Sequence, residues 1–156
     1  MAAKLGKRFQ KALKMACDLH QLDVRKRTDI PYVSHLLAVA SLVLEDGGDE
    51  DEAIAALLHG AVEDHGGLRT LKLIRTEFGD WVAGIVKACS DSATADPKRK
   101  PPWCDRKKAY LLHLSQETRP EVLRVSAADK LHNARCILAD YRRCGDSLWN
   151  LCVANC

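Results

Sequence analysis

Nothing in this sequence reads as a membrane span, because its longest apolar runs fall far short of the ~20 residues a bilayer crossing needs. Sustained apolar/polar alternation between turn residues is absent as well, so no sheet is expected. There is no C-x-x-C, and the seven cysteines are odd in number, which argues against a framework of paired thiols. Charge of one sign is lacking too: 24 basic against 21 acidic residues leave +3, too little to argue for a nucleic-acid partner. Lys98-Arg99-Lys100 reads as a solvated loop on the same grounds. The first fifteen residues are basic and amphipathic but have no continuous apolar core of the kind a signal peptide carries, and a cytoplasmic location is the expectation. Internal repeats and low-complexity tracts are missing.

What remains is an ordinary globular composition, 47% hydrophobic and 29% charged over 156 residues. A chain of that length buries roughly two-thirds of its unfolded surface as one domain, here expected over 1–156 with its motif-bearing core at about 20–141. Helical spacing dominates. Leu36, Val39, Ala40 and Val43 recur at i, i+3, i+4, i+7, as do Ile54, Leu57, Leu58 and Ala61. Leu131, Ala134, Leu138 and Tyr141 mark a long late helix, and Trp81, Ile85 and Ala88 a shorter stripe.

The punctuation agrees with this period. Pro31 suits a helix start, Gly47-Gly48 an end, and Asp49 the next cap. Phe78-Gly79-Asp80 is a break, Thr118 to Glu121 has capping-box spacing, and Gly145 closes the long helix. Cys17, Cys89 and Cys136 fall on apolar faces as small hydrophobes, and Cys152 and Cys156 lie one helical turn apart. The expected architecture is an all-α bundle of about seven helices, with one irregular stretch from Ser90 to Pro102 that carries Asp96-Pro97.

Imidazoles and carboxylates gather at three points. His35 follows Pro31-Tyr32, the group His59, Glu63 and Asp64 ends an apolar run on what reads as one helix, and Asp129 sits among small apolar residues of the late helix. A carboxylate in such surroundings needs a partner, for which Lys130 and Arg135 are candidates. Singly, each of these residues has a structural explanation as a satisfied core or surface group. Together, two imidazoles and a helix-borne Asp converging across a bundle make a divalent-metal site, with Glu63 and Asp64 placed to handle a water and its proton. Basic residues near them would take up phosphate charge.

Four segments occur in order: Arg25-Lys26-x-Thr28-x-Ile30-Pro31-Tyr32-x-x-His35, Ala55-Ala56-Leu57-Leu58-His59-x-Ala61-Val62-Glu63-Asp64, Phe78-Gly79, and Ala128-Asp129-Lys130-Leu131-His132-Asn133. This set resembles the hydrolase domain of RelA/SpoT-type proteins and the small alarmone hydrolases, a branch of the HD-domain phosphohydrolases. The run from Pro101-Pro102-Trp103 to Tyr110 resembles a bacterial single-domain branch of the same superfamily.

The resemblance implies an all-α fold and manganese-dependent removal of the 3′-pyrophosphate from guanosine tetra- or pentaphosphate. It implies that His35, His59 and Asp129 ligate the metal and that Glu63 and Asp64 are the catalytic acidic pair. Arg25, Lys26, Tyr32, Lys130 and Asn133 would surround the nucleotide, with Arg106 and Lys107 contributing from the edge of the irregular segment. The partner so implied is a small nucleotide, neither nucleic acid nor a membrane; no oligomeric state is assigned.

One position departs from the pattern. The fourth ligand should be an aspartate beside His59, and residue 60 is glycine, which offers no side-chain donor. Arg27 and Asp29 also stand where glycine is common in this loop. Three readings follow: an impaired hydrolase, a metal-free nucleotide sensor that keeps the basic pocket, or a hydrolase of another nucleotide or phosphorylated metabolite. A fourth is an all-α scaffold in which these residues are only structural.

Overall fold

The computed structural model describes residues 3–26, 28–91 and 100–152, with side chains through Trp149. Arg27, Asp96-Pro97, Lys98, Arg99, Cys156 and the Cys152 side chain lie outside the described residues. Among the described residues eight helical segments follow one another: α1 (Lys7–Leu19), α2 (Val33–Glu45), α3 (Glu50–Leu58), α4 (Ala61–Asp64), α5 (Leu68–Cys89), α6 (Trp103–Gln116), α7 (Pro120–Cys144) and α8 (Ser147–Cys152). With the single-turn α4 set aside there are seven, as the periodicity suggests. The described residues contain no strand, only an isolated antiparallel bridge between Val24 and Pro31.

The centre of the fold is α3. Every residue from Ala53 to Leu58 is fully buried, and the helix packs against α1, α2, α5 and α7. A helix apolar on all sides has no solvent face and belongs inside a bundle. Its start is secured by a complete capping box. The Asp49 carboxylate accepts from the Glu52 backbone N–H at 2.9 Å, and the Glu52 carboxylate accepts from the Asp49 N–H at 2.8 Å. Around α3, Val39 and Val43 of α2, Ile74, Val82, Ile85 and Val86 of α5, and Val122 and Val125 of α7 close the core.

Several punctuation marks act as expected. Gly47 (φ 84°) ends α2, Gly145 (φ 58°) ends α7, and Gly79 (φ 92°) puts a kink inside α5, all three in the left-handed region that favours glycine. Others differ. At α7 the Thr118 side chain makes no cap; the Glu117 carboxylate accepts from the Thr118 and Arg119 N–H groups instead. Cys17 is exposed on α1, not on its apolar face, while Cys89 and Cys136 are partly buried. The apolar run at 54–61 is also not one helix, because α3 stops at Leu58 and α4 begins only at Ala61. Gly60 lies in the break.

Candidate metal centre

Three elements bring the candidate ligands together: α2 carries His35, the end of α3 carries His59, and α7 carries Asp129. All three residues are buried. His35 Nε2 lies 3.2 Å and His59 Nε2 3.6 Å from the same oxygen, Asp129 Oδ1. One donor atom from each residue falls within 4.8 Å of the others. Two imidazoles and a carboxylate at that spacing fit a divalent transition ion.

The surrounding bonds orient these donors. His59 Nδ1 donates to the Ala56 carbonyl at 2.7 Å, which fixes the ring with its Nε2 facing Asp129. His35 Nδ1 lies 2.8 Å from His132 Nδ1, a contact that holds the His35 ring in place. Asp129 also accepts from Lys130 Nζ at 2.5 Å and Asn133 Nδ2 at 2.6 Å. Arg135, the other partner weighed from sequence, makes no such bond. Burial alone would push the Asp129 carboxyl up, but hydrogen bonds from His35 and His59 hold it well below the ordinary range. Burial lowers His35; at His59 burial acts the same way, yet the bond and charge of Asp129 prevail and raise it.

The position beside His59 has little spare room. A Cβ built on Gly60 meets the Tyr32 hydroxyl at 3.1 Å and Asp64 Oδ2 at 3.4 Å. The Tyr32 phenol therefore stands where a side chain at 60 would leave the backbone. Burial, together with the charges of Asp64, Asp129 and Glu63, pushes this phenol well above its usual range and keeps it a neutral donor. Asp64 is exposed and stands outside the group of three donors.

The remaining expected residues divide. Arg25 donates to Asn133 Oδ1 at 3.3 Å, which ties the loop before α2 to α7 next to Asp129. That loop is folded back on itself, with Arg25 N–H bonded to the Ile30 carbonyl and Tyr32 N–H to the Asp23 carbonyl, each at 2.8 Å. Lys26 points to solvent from the same loop. Arg106 and Lys107 lie on α6, and both bind Asp91, at 2.6 and 2.5 Å. Arg106 bridges on to Glu63 at 3.2 Å, and Lys100 donates to the Glu63 carbonyl at 2.7 Å.

Two further residues at the site, Asp91 and His132, carry no role legible in the sequence. Asp91 sits at the edge of an irregular stretch with no periodicity to mark it. His132 was visible only as the residue three after Asp129. In the fold Asp91 is almost wholly buried, and beside it Glu63 is raised, by burial first and by the Asp91 charge second.

The HD domain family model matches residues 12–149. Among curated proteins, the chain is 34% identical over 142 residues to a guanosine-3′,5′-bis(diphosphate) 3′-pyrophosphohydrolase of Xenopus tropicalis, covering 89% of this chain and 72% of that one. It is 32% identical to a GTP pyrophosphokinase of Streptomyces coelicolor, covering 83% of this chain but only 14% of the relative's length. Among solved structures it superposes with a TM-score of 0.74 and 25% identity on a metazoan SpoT orthologue described as hydrolysing ppGpp, over 88% of this chain and 74% of that one. Four ordered motifs, the bundle that joins them and a family match over residues 12–149 agree: the chain belongs to the HD domain family, in its RelA/SpoT-type hydrolase group.

Proposed function

We propose that this protein hydrolyses the 3′-pyrophosphate of guanosine 3′,5′-bis(diphosphate) and related guanosine polyphosphates, releasing pyrophosphate, and that glycine at position 60 weakens it by removing one metal ligand. The observation that carries this reading is the buried convergence of His35 and His59 on one oxygen of Asp129. The activity of the Xenopus tropicalis relative and of the metazoan SpoT orthologue supports the substrate class.

His35, His59 and Asp129 would hold the divalent ion, with manganese the expected one. When bound, such an ion supplies Lewis acidity to a water and neutralises phosphate charge. The chain's own side chains account for the rest. Glu63, half-buried and raised above its ordinary pKa, takes the proton of the attacking water. The water's oxygen bonds to the phosphorus on the 3′ oxygen, the bond between that oxygen and phosphorus breaks, and a proton returns to the 3′ oxygen as pyrophosphate leaves. Asp64, exposed at the end of α4, orients the water. Arg25, Lys26 and Lys130 take up phosphate charge, while the Tyr32 phenol and the Asn133 amide position the nucleotide.

The test is pyrophosphate release from guanosine 3′,5′-bis(diphosphate) with added manganese, for the wild type and Gly60→Asp. Slow turnover in the wild type that rises in the variant supports the reading. A second reading, a metal-free nucleotide sensor, is favoured by one observation: Arg25, Tyr32 and Asn133 keep their places around a site that lacks a ligand. Tight binding of the same nucleotide in chelator, without turnover in either form, would establish the sensor instead.

A further inference from the structure

Next to Tyr32, which also touches His35, lies a second cluster of the same composition. His20 at the end of α1, Asp23 in the following turn and His65 after α4 each offer a donor within 4.8 Å of the others. His20 Nδ1 stands 2.8 Å and His65 Nε2 2.6 Å from one oxygen, Asp23 Oδ2. The two rings meet edge-on at 4.5 Å, and His20 is 2% exposed. Two imidazole nitrogens thus converge on a single carboxylate oxygen, as His35 and His59 do on Asp129. The Tyr32 ring touches both clusters, 4.8 Å from His20 and 5.5 Å from His35.

We infer that His20, Asp23 and His65 form a second divalent-metal site, suited to zinc or a similar transition ion. Imidazole and carboxylate donors favour such ions over magnesium or calcium, which prefer all-oxygen sets. Ligands about 2.0–2.1 Å from an ion at near-tetrahedral angles stand roughly 3.4 Å apart. The present 2.6–2.8 Å contacts, each with a proton between nitrogen and oxygen, need to open by about 0.6–0.8 Å as the ion replaces both protons. The architecture permits that movement. His20 is the fixed, buried ligand, whereas Asp23 and His65 sit on turns with partly exposed side chains, and Gly66 and Gly67 follow His65 at positive φ. Their exposure also leaves an open coordination position to water. His20 Nε2 is buried without a hydrogen-bond partner among the described residues, so no competing contact turns the ring away from Asp23. An ion here would lie one residue from Asp64 and add positive charge beside Tyr32.

Chelator-stripped protein in reducing buffer, reloaded with zinc and dialysed, gives the bound metal per chain by elemental analysis, with calorimetric titration as the second measure. Asp23→Asn keeps a hydrogen-bonding oxygen for both histidines but removes the anionic ligand, so a purely hydrogen-bonded clamp would survive it. The expected result is one zinc fewer per chain in Asp23→Asn than in the wild type, with unchanged helical circular dichroism. Asp129→Asn, which addresses the first site, should retain the ion that Asp23→Asn loses. Equal zinc in wild type and Asp23→Asn overturns the inference, as does a folded Asp129→Asn chain that binds none. If Asp23→Asn fails to fold, His65→Gln at a partly exposed position reads the same difference. Cysteine-bound zinc is common to all variants and cancels.

Discussion

Asp91 is a buried carboxylate held between two cations, with Glu63 raised beside it. Burial would push Asp91 up, but Lys107, Glu63 and Arg106 hold it below the ordinary carboxylate range. A depressed pKa contributes stability that is present above the unfolded value of about 3.9 and is lost as pH falls through the folded one. Asp91→Asn should therefore cost about 2 kcal/mol near neutral pH, with the gap to wild type closing in acid, as urea titrations across pH will show. The same change removes a charge that raises Glu63 and frees Arg106 to pair with it. The acid limb of the activity profile should move to lower pH, and an unmoved limb would separate Glu63 from the proton transfer. The candidate ligands His35, His59 and Asp129 were legible in the sequence because each lies in a short motif of defined spacing. Asp91, His132 and Asp23 were not, since their partners are brought to them only by the packing of distant helices.

At the scale of elements, α3 is short, buried on every side and dependent on its start. Nine residues make a marginal helix alone, so the capping box and packing carry it. Asp49→Ala removes the carboxylate that accepts from the Glu52 N–H, leaves the backbone half of the box in place, and should lower stability by about 1 kcal/mol in urea unfolding. Thr118→Ala should change it by less than about 0.5 kcal/mol, because Glu117 covers the N–H groups that sequence spacing assigned to Thr118. Most helix ends were legible, since glycine at positive φ and an Asp-x-x-Glu box are local signals. The break between α3 and α4 was not, because His59 and Gly60 keep near-helical dihedrals while the hydrogen-bond ladder lapses. That break lets His59 face Asp129 while Glu63 turns toward α6 and Asp91.

For the molecule as a whole, the candidate metal centre joins α2, α3 and α7, three elements distant in the chain. An ion bound there stabilises only the folded state, by about 2.7 kcal/mol at a hundredfold excess over its Kd. For a chain of this size that raises the melting temperature by roughly 5–10 °C. Manganese should give that rise in the wild type and not in Asp129→Asn. The all-α architecture followed from periodicity, but the meeting of these three helices came from the family resemblance and the fold. If His35, His59 and Asp129 are three ligands of a site whose fourth was lost at Gly60, the manganese Kd of the wild type against Gly60→Asp measures what the missing ligand is worth. The Tyr32 hydroxyl, 3.1 Å from the new Cβ, must retreat by a few tenths of an ångström to admit the side chain. Manganese should bind at least about tenfold tighter in the variant, the scale of one charged contact. Equal affinity in the two proteins would contradict it.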